Sequence, residues 1–290
     1  MISTWHPYYE VPENGVLPQS FPPRLHLKLM NQVPALLDLQ NIQVMRGGNV
    51  VLDDFNLRIH GDEHIAILGP NGCGKSTLIK TITRECYPVA REGSRISILG
   101  REVWNVFELR SLLGIVSNDL MAWCNPESVG RDIVLSGFFS SSHLFPNHLV
   151  RPEQITLAES VLAELEVPHL ADRPVCEMSS GEAKRVLIAR ALVHKPQALL
   201  FDEPSNSLDF HAQHNLRQTM SLLANSGIGI ILVTHELADI VPEIKRIVLM
   251  SKGRIVADGP KEEMLREERL SPLFGMNVEI ARKDGHYHLW

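Results

Sequence analysis

Residues 69 to 77 read GPNGCGKST and fill a Gly-x-x-x-x-Gly-Lys-Ser pattern: Gly69, Pro70, Asn71, Gly72, Cys73 and Gly74 lead to Lys75, Ser76 and Thr77. Glycines at these positions let successive backbone N–H groups turn inward around a phosphate. A helix starting at the lysine adds the partial positive charge of its N-terminus. Lys75 is placed to reach the β- and γ-phosphates of a nucleotide, and the Ser76 hydroxyl to take a place on Mg²⁺. Two more polar clusters follow apolar runs. Asp202 and Glu203 come directly after Ala198-Leu199-Leu200-Phe201, and His235 ends the run Ile228-Gly229-Ile230-Ile231-Leu232-Val233-Thr234. An acid pair of this kind divides the work: Asp202 holds the metal, usually through water, and Glu203 orients or deprotonates the water that attacks the γ-phosphate. His235 is then the group expected to contact that phosphate.

The elements that must carry these residues can be read from the pattern of apolar positions. His64-Ile65-Ala66-Ile67-Leu68 is a buried parallel strand ahead of the loop, and Thr77-Leu78-Ile79-Lys80-Thr81-Ile82 continues as a helix. Upstream, residues 36–44 alternate as a strand, Gly47-Gly48-Asn49 is a turn, and Val50-Val51-Leu52 and Phe55–Ile59 are two further strands of an antiparallel layer. Arg95–Gly100 and Gly114–Asp119 add short strands, and helices are expected at about Ser180–Val193 and Phe210–Ala224. Strands alternating with helices imply an α/β fold with a mostly parallel sheet, and in such sheets ligands collect at the carboxyl ends of the strands. The three polar clusters are therefore expected to converge. Arg246–Met250 and Arg254–Gly259 form a hairpin, and 277–290 read as another, turning at Lys283-Asp284-Gly285.

Composition narrows the function classes. The 290 residues carry a net charge of -6, which gives no general attraction to nucleic acid or anionic lipid, and no nucleic-acid partner is expected. No apolar run approaches the ~18 residues of a membrane span, and the N-terminus has no basic-then-apolar leader, so a cytosolic protein is expected. Cys73, Cys86, Cys124 and Cys176 are scattered without a C-x-x-C pair, which favours reduced thiols over a disulfide frame or zinc site. Residues 1–34 hold six prolines and little periodicity, as an extended tail does. His286 and His288 share a strand with no further ligands in view and read as an ordinary exposed strand rather than a metal site.

Met178-Ser179-Ser180-Gly181-Glu182, ahead of the helical run Ala183–Leu192, resembles the Leu-Ser-Gly-Gly-Gln signature of ATP-binding cassette (ABC) transporters. Its spacing to Asp202-Glu203-Pro204, to Ser205-Asn206-Ser207-Leu208-Asp209 and to His235 follows that family's order across about Ala35 to Leu265. The resemblance implies a P-loop NTPase-type sheet core with an antiparallel β-layer and a helical insertion at about 119–177. The cassette itself would span 35–270, with 271–290 as a hairpin-like extension. It also implies ATP and Mg²⁺ as ligands and a head-to-tail pair of cassettes, with each ATP lying between one phosphate loop and Ser179 and Gly181 of the second ABC domain. Separate integral-membrane permease subunits would dock on the insertion, placing the chain on the cytoplasmic face of the membrane. The alternative within the family is a soluble cassette acting in regulation, stress response or repair. The long coiled-coil segments of repair relatives and the second cassette of translation-factor relatives are both missing here.

Some positions depart from the family pattern. Met45 stands where an aromatic side chain usually stacks on adenine, and a thioether can meet a ring. Asn118 replaces the glutamine that senses magnesium, with one methylene less reach. Ser180 and Glu182 replace a glycine and the glutamine of the signature. Cys73, inside the loop, is either inert packing or a thiol whose thiolate the surrounding N–H dipoles favour, in which case MgATP should protect it from maleimide.

Overall fold

A computed structural model describes residues 34–283 and 285–289. The tail expected over 1–34 lies outside them apart from Pro34. In chain order the elements are β1 (Leu37–Arg46), β2 (Asn49–Ile59), β3 (His64–Leu68), α1 (Lys75–Ile82), β4 (Arg95–Ile98), α2 (Val106–Leu112), β5 (Leu113–Ser117) and α3 (Asn118–Ala122). Then come α4 (Gly130–Ser136), α5 (Pro152–Glu164), α6 (Ser180–Leu192), β6 (Ala198–Asp202), α7 (Phe210–Asn225) and β7 (Gly229–Thr234). The C-terminal elements are β8 (Arg246–Ser251), β9 (Arg254–Pro260), α8 (Lys261–Met264), α9 (Glu267–Phe274), β10 (Ile280–Lys283) and β11 (His286–Leu289).

The main sheet has the order β5-β6-β7-β3-β8-β9, parallel throughout except for the antiparallel edge strand β9. A second, antiparallel sheet has the order β2-β1-β4. The break at Asp53-Asp54, which suggests two strands, is a bulge in one continuous strand: two residues of β2 between Leu52 and Phe55 face one of β1 between Ile42 and Val44.

Because side chains alternate across a strand, β3 feeds two cores. Ile65 and Ile67 pack with Leu200, Val233, Val248 and the antiparallel layer (Leu39, Ile42, Phe55, Leu57). Ala66 and Leu68 face the opposite way, toward Phe201, Leu232 and the helices, including Ile133 and Val134 of α4, Leu162 of α5 and Leu187 of α6. Burial on both faces is what allows these strands to be near-continuous apolar runs.

Candidate functional site

Strand order decides what meets what. β5, β6, β7 and β3 are parallel neighbours, with Ser117 beside Asp202, Asp202 beside Val233, and Thr234 beside Leu68. Their carboxyl ends therefore line up along one edge. Asn118, Glu203, His235 and the 69–74 loop leave that edge side by side, although 166 positions separate Gly69 from His235 in the numbering.

The loop ends at Gly74, which precedes α1 at φ +110°, a left-handed conformation that a side chain would strain. The first turn of α1 has no side-chain cap and no acidic residue, so its N–H groups stay open to an anion. Lys75 is buried and folds back over the loop, donating to the carbonyls of Gly69 (2.8 Å) and Pro70 (3.2 Å). Its ammonium also lies 3.4 Å from Glu203 Oε1. Ser76 is exposed and Thr77 is buried.

Glu203 is the hub of the site. Its Oε1 stands 3.3 Å from His235 Nδ1, an ion-pair distance without hydrogen-bond geometry, and its Oε2 accepts from Asn206 Nδ2 at 2.7 Å. Its backbone sits at φ +42°, held by a hydrogen bond from its N–H to the Val233 carbonyl, and a strained conformation of this kind persists only where its surroundings hold it. Burial pushes its carboxyl up. Asn206, Lys75 and His235 together outweigh that and leave it below the ordinary carboxylate value. Asp202 behaves oppositely: burial and then the Glu203 charge push it up to about 6, only partly opposed by Lys75 and Lys184. Two neighbouring acids with opposed shifts are the mark of a site that divides acid roles.

Asn118 opens α3 and does not reach the site as a free ligand. Its Oδ1 accepts from Lys184 Nζ at 2.6 Å, while its Nδ2 points to the Glu203 carbonyl at 3.4 Å. Met45 is half exposed near the end of the β1–β2 hairpin, paired with Val50. The following residues bring β2 close to the loop, since a Cβ on Gly74 would lie 3.1 Å from both Leu52 Cδ2 and the Val51 carbonyl.

Of the two readings of Cys73, the structure favours inert packing. Its side chain is 4% exposed, and burial pushes the thiol's pKa up despite the nearby Lys75 ammonium and the backbone N–H groups. The N–H dipoles that favour a thiolate are present, but desolvation outweighs them.

Ser179 caps α6: its Oγ accepts from the Glu182 N–H (3.3 Å), and Glu182 Oε2 accepts from the Ser179 N–H (2.8 Å). Glu182, which departs from the family's glutamine, is thus the returning half of a capping box. A Cβ on Gly181 would lie 2.7 Å from Ala212 Cβ, so glycine is required there for α6 to lie against α7. Ser179 and Gly181 line a small cleft with Asp209, His211 and Asn215. Ser76 and Asp202 line a different and larger one of about 230 Å³, together with Arg110, Leu120, Trp123 and His194.

A family model described as "ABC transporter" matches residues 52–206. The chain belongs to the ABC transporter family. It is 31% identical over 252 residues to YlmA, an uncharacterized ABC transporter ATP-binding protein of Bacillus subtilis, covering 84% of this chain and 93% of that one. It is 30% identical over 259 residues to the hemin import ATP-binding protein HmuV of Pseudomonas aeruginosa, covering 87% and 98% of the two chains. Among solved structures, CbiO1 of Clostridium perfringens, part of the ABC transporter complex CbiONQ, superposes with a TM-score of 0.67 at 27% identity, over 82% of this chain and 94% of that one. An ABC transporter's ATP-binding cassette in its ADP conformation shares the fold, with a TM-score of 0.70 at 24% identity, over 82% and 96%. As an ABC ATP-binding protein the chain binds and hydrolyses ATP. Among the described residues no helix is long and apolar enough to cross a membrane.

Proposed function

We propose that this ABC ATPase works as one of a head-to-tail pair and drives transport through separate integral-membrane permease subunits. The observation that carries the reading is the division of the site. Lys75, Glu203 and His235 are joined at one edge of the sheet, whereas Ser179 and Gly181 stand at the start of α6 around a different cleft. A phosphate loop and a signature helix start that do not share a cleft suit a nucleotide closed between two copies.

In this reading the loop from Gly69 to Thr77 holds the phosphates and Met45 meets the adenine. Lys75 neutralises the β- and γ-phosphates, and His235 contacts the γ-phosphate. Glu203 orients the attacking water. The donor set fits Mg²⁺ at Ser76 and Asp202: both line one cleft, and burial and then the Glu203 charge raise the pKa of Asp202, which a cation would relieve. Held by Ser76 and Asp202, such an ion would supply charge neutralisation at the phosphate oxygens. Asn118 does not fit as a ligand, because its oxygen accepts from the Lys184 ammonium, whose charge opposes a second cation there.

The cassette spans about 35–270 with the helical insertion at about 119–177, and 271–290 form an extension. The cleft at Arg110, Leu120 and Trp123 borders that insertion and is the surface offered to a short permease helix. Glu203→Gln should bind ATP, stop turnover and sediment as an ATP-dependent dimer in analytical ultracentrifugation. If it stays monomeric with ATP bound, the head-to-tail reading is wrong. Failure to co-purify any integral-membrane chain would favour the soluble alternative.

A further inference from the structure

Lys184 is a buried lysine that none of the motifs explains. It lies on α6 with 5% of its surface exposed, and burial drives its ammonium down to about 8 although Asp202 and Asp239 pull the other way. Side chains of this type are rarely left buried without a task. Its Nζ donates to Asn118 Oδ1 at 2.6 Å, a short charge-assisted bond between residues 66 positions apart in the chain. The amide is thereby oriented. With its oxygen on the ammonium, Asn118 turns its Nδ2 toward the carbonyl of Glu203, at 3.4 Å.

We propose that Lys184 is a positioning residue that turns Asn118 from a magnesium ligand into a strut between α6 and the Glu203 backbone. The inference rests on the ATPase reading with the metal held at Ser76 and Asp202, and it adds how this chain works without a free amide oxygen at position 118. The ammonium takes one of the two lone pairs of the amide oxygen, and its charge repels a second cation at the other. What remains useful is the N–H₂ end, which steadies a backbone held in a left-handed conformation at Glu203. Lys184 thus acts through Asn118.

The test compares ATP affinity with and without Mg²⁺, read by a fluorescent ATP analogue, alongside steady-state hydrolysis. Asp202→Asn is the control for the metal reading and should shrink the Mg²⁺ effect on affinity about ten-fold or more. If it does not, the metal site is misplaced, independently of Asn118. Asn118→Ala should keep the Mg²⁺ effect within about two-fold of wild type yet lower kcat about ten-fold at unchanged KM. Lys184→Met should do the same. The double variant should be no slower than either single one, because both break one link. Lys184→Gln keeps a donor and should recover most of the kcat.

A purely structural role for Lys184 would lower the melting temperature without non-additivity or rescue by glutamine, and that result overturns the proposal. So does a ten-fold loss of the Mg²⁺ effect in Asn118→Ala, or wild-type kcat in that variant. Asn118 is exposed, and its variant decides the matter if Lys184→Met does not fold.

Discussion

Asn206→Ala should show how far Glu203 depends on the loop that follows it. Asn206 Nδ2 donates to Glu203 Oε2 at 2.7 Å and is the largest of the influences holding that carboxyl below its ordinary value against burial. A hydrogen bond to a charged group contributes roughly 1.5–3 kcal/mol. The Glu203 side chain is 24% exposed, so water replaces part of the loss and the lower end applies. A loss of about 1.4 kcal/mol corresponds to about one pKa unit and about a factor of ten. The sign follows from which form the bond favours. Asn206 stabilises the ionised carboxylate, so its removal raises the pKa, and the acidic limb of the kcat–pH profile should move to higher pH by about one unit. The plateau should fall about ten-fold as the carboxylate loses a fixed direction. KM for ATP should change little, since Asn206 bonds to Glu203 rather than to the phosphate loop. The assay is phosphate release under saturating MgATP across the acid-to-neutral range. A plateau within about two-fold of wild type together with an unmoved acidic limb would refute the reasoning.

Maleimide should label Cys73 in the folded protein far more slowly than the exposed Cys176, in contrast to a thiolate favoured by loop dipoles; mass spectrometry of the labelled peptides decides it, and equal rates would show that the loop opens. Gly181→Ala places a Cβ 2.7 Å from Ala212 Cβ, two atoms fixed to backbones, and should cost about 1–3 kcal/mol in urea unfolding. Ala212→Gly in the same chain should restore much of that, and an additive loss would show that the contact is not the cause. Lys261 is buried, donates to the carbonyls of Val241 and Pro242, and is driven by burial down to about 8. Between that value and the ordinary 10.5 the unfolded chain binds more protons, so stability relative to Lys261→Met should rise with pH, by about 2 kcal/mol from pH 7.5 to 10. A pH-independent difference between the two proteins would refute it.

What could be read in advance was local and contiguous. The phosphate loop, the acid pair and His235 each occupy one short run at the end of an apolar strand, and the parallel sheet follows from the alternation of strands and helices. The order β6-β7-β3, which brings Glu203, His235 and Lys75 together, is a property of strand pairing that no single run expresses. Cys73 stays open between two readings for the same reason. The loop reveals the dipoles around the thiol but not the walls that exclude water from it. Asp53-Asp54 looked like a strand end because charge interrupts the alternation, whereas a bulge carries both residues within one strand. Glu182 was the legible miss: Ser179-x-x-Glu182 is the pattern of a capping box and explains the departure from glutamine without any loss of the signature. Lys184 and Asn118, 66 positions apart, carried no such sign.

One consequence joins the two halves of the site. Ser179 caps α6 and Lys184 lies five residues further along the same helix, about 7.5 Å at 1.5 Å per residue. Whatever displaces the tip of α6 carries the ammonium with it, and through Asn118 reaches the backbone of Glu203. A cassette whose Ser179 engages a nucleotide held by a second copy would then feel that event at its own catalytic carboxylate. Such coupling requires that both ends bias the same element, which a rigid helix provides. Hydrogen exchange gives the check. Amides of α3, which begins at Asn118, should slow when ATP closes a Glu203→Gln dimer, and that slowing should vanish when Lys184→Met is added while the dimer still forms. If α3 slows equally in both dimers, the link runs by another route and Lys184 serves only its own half of the site.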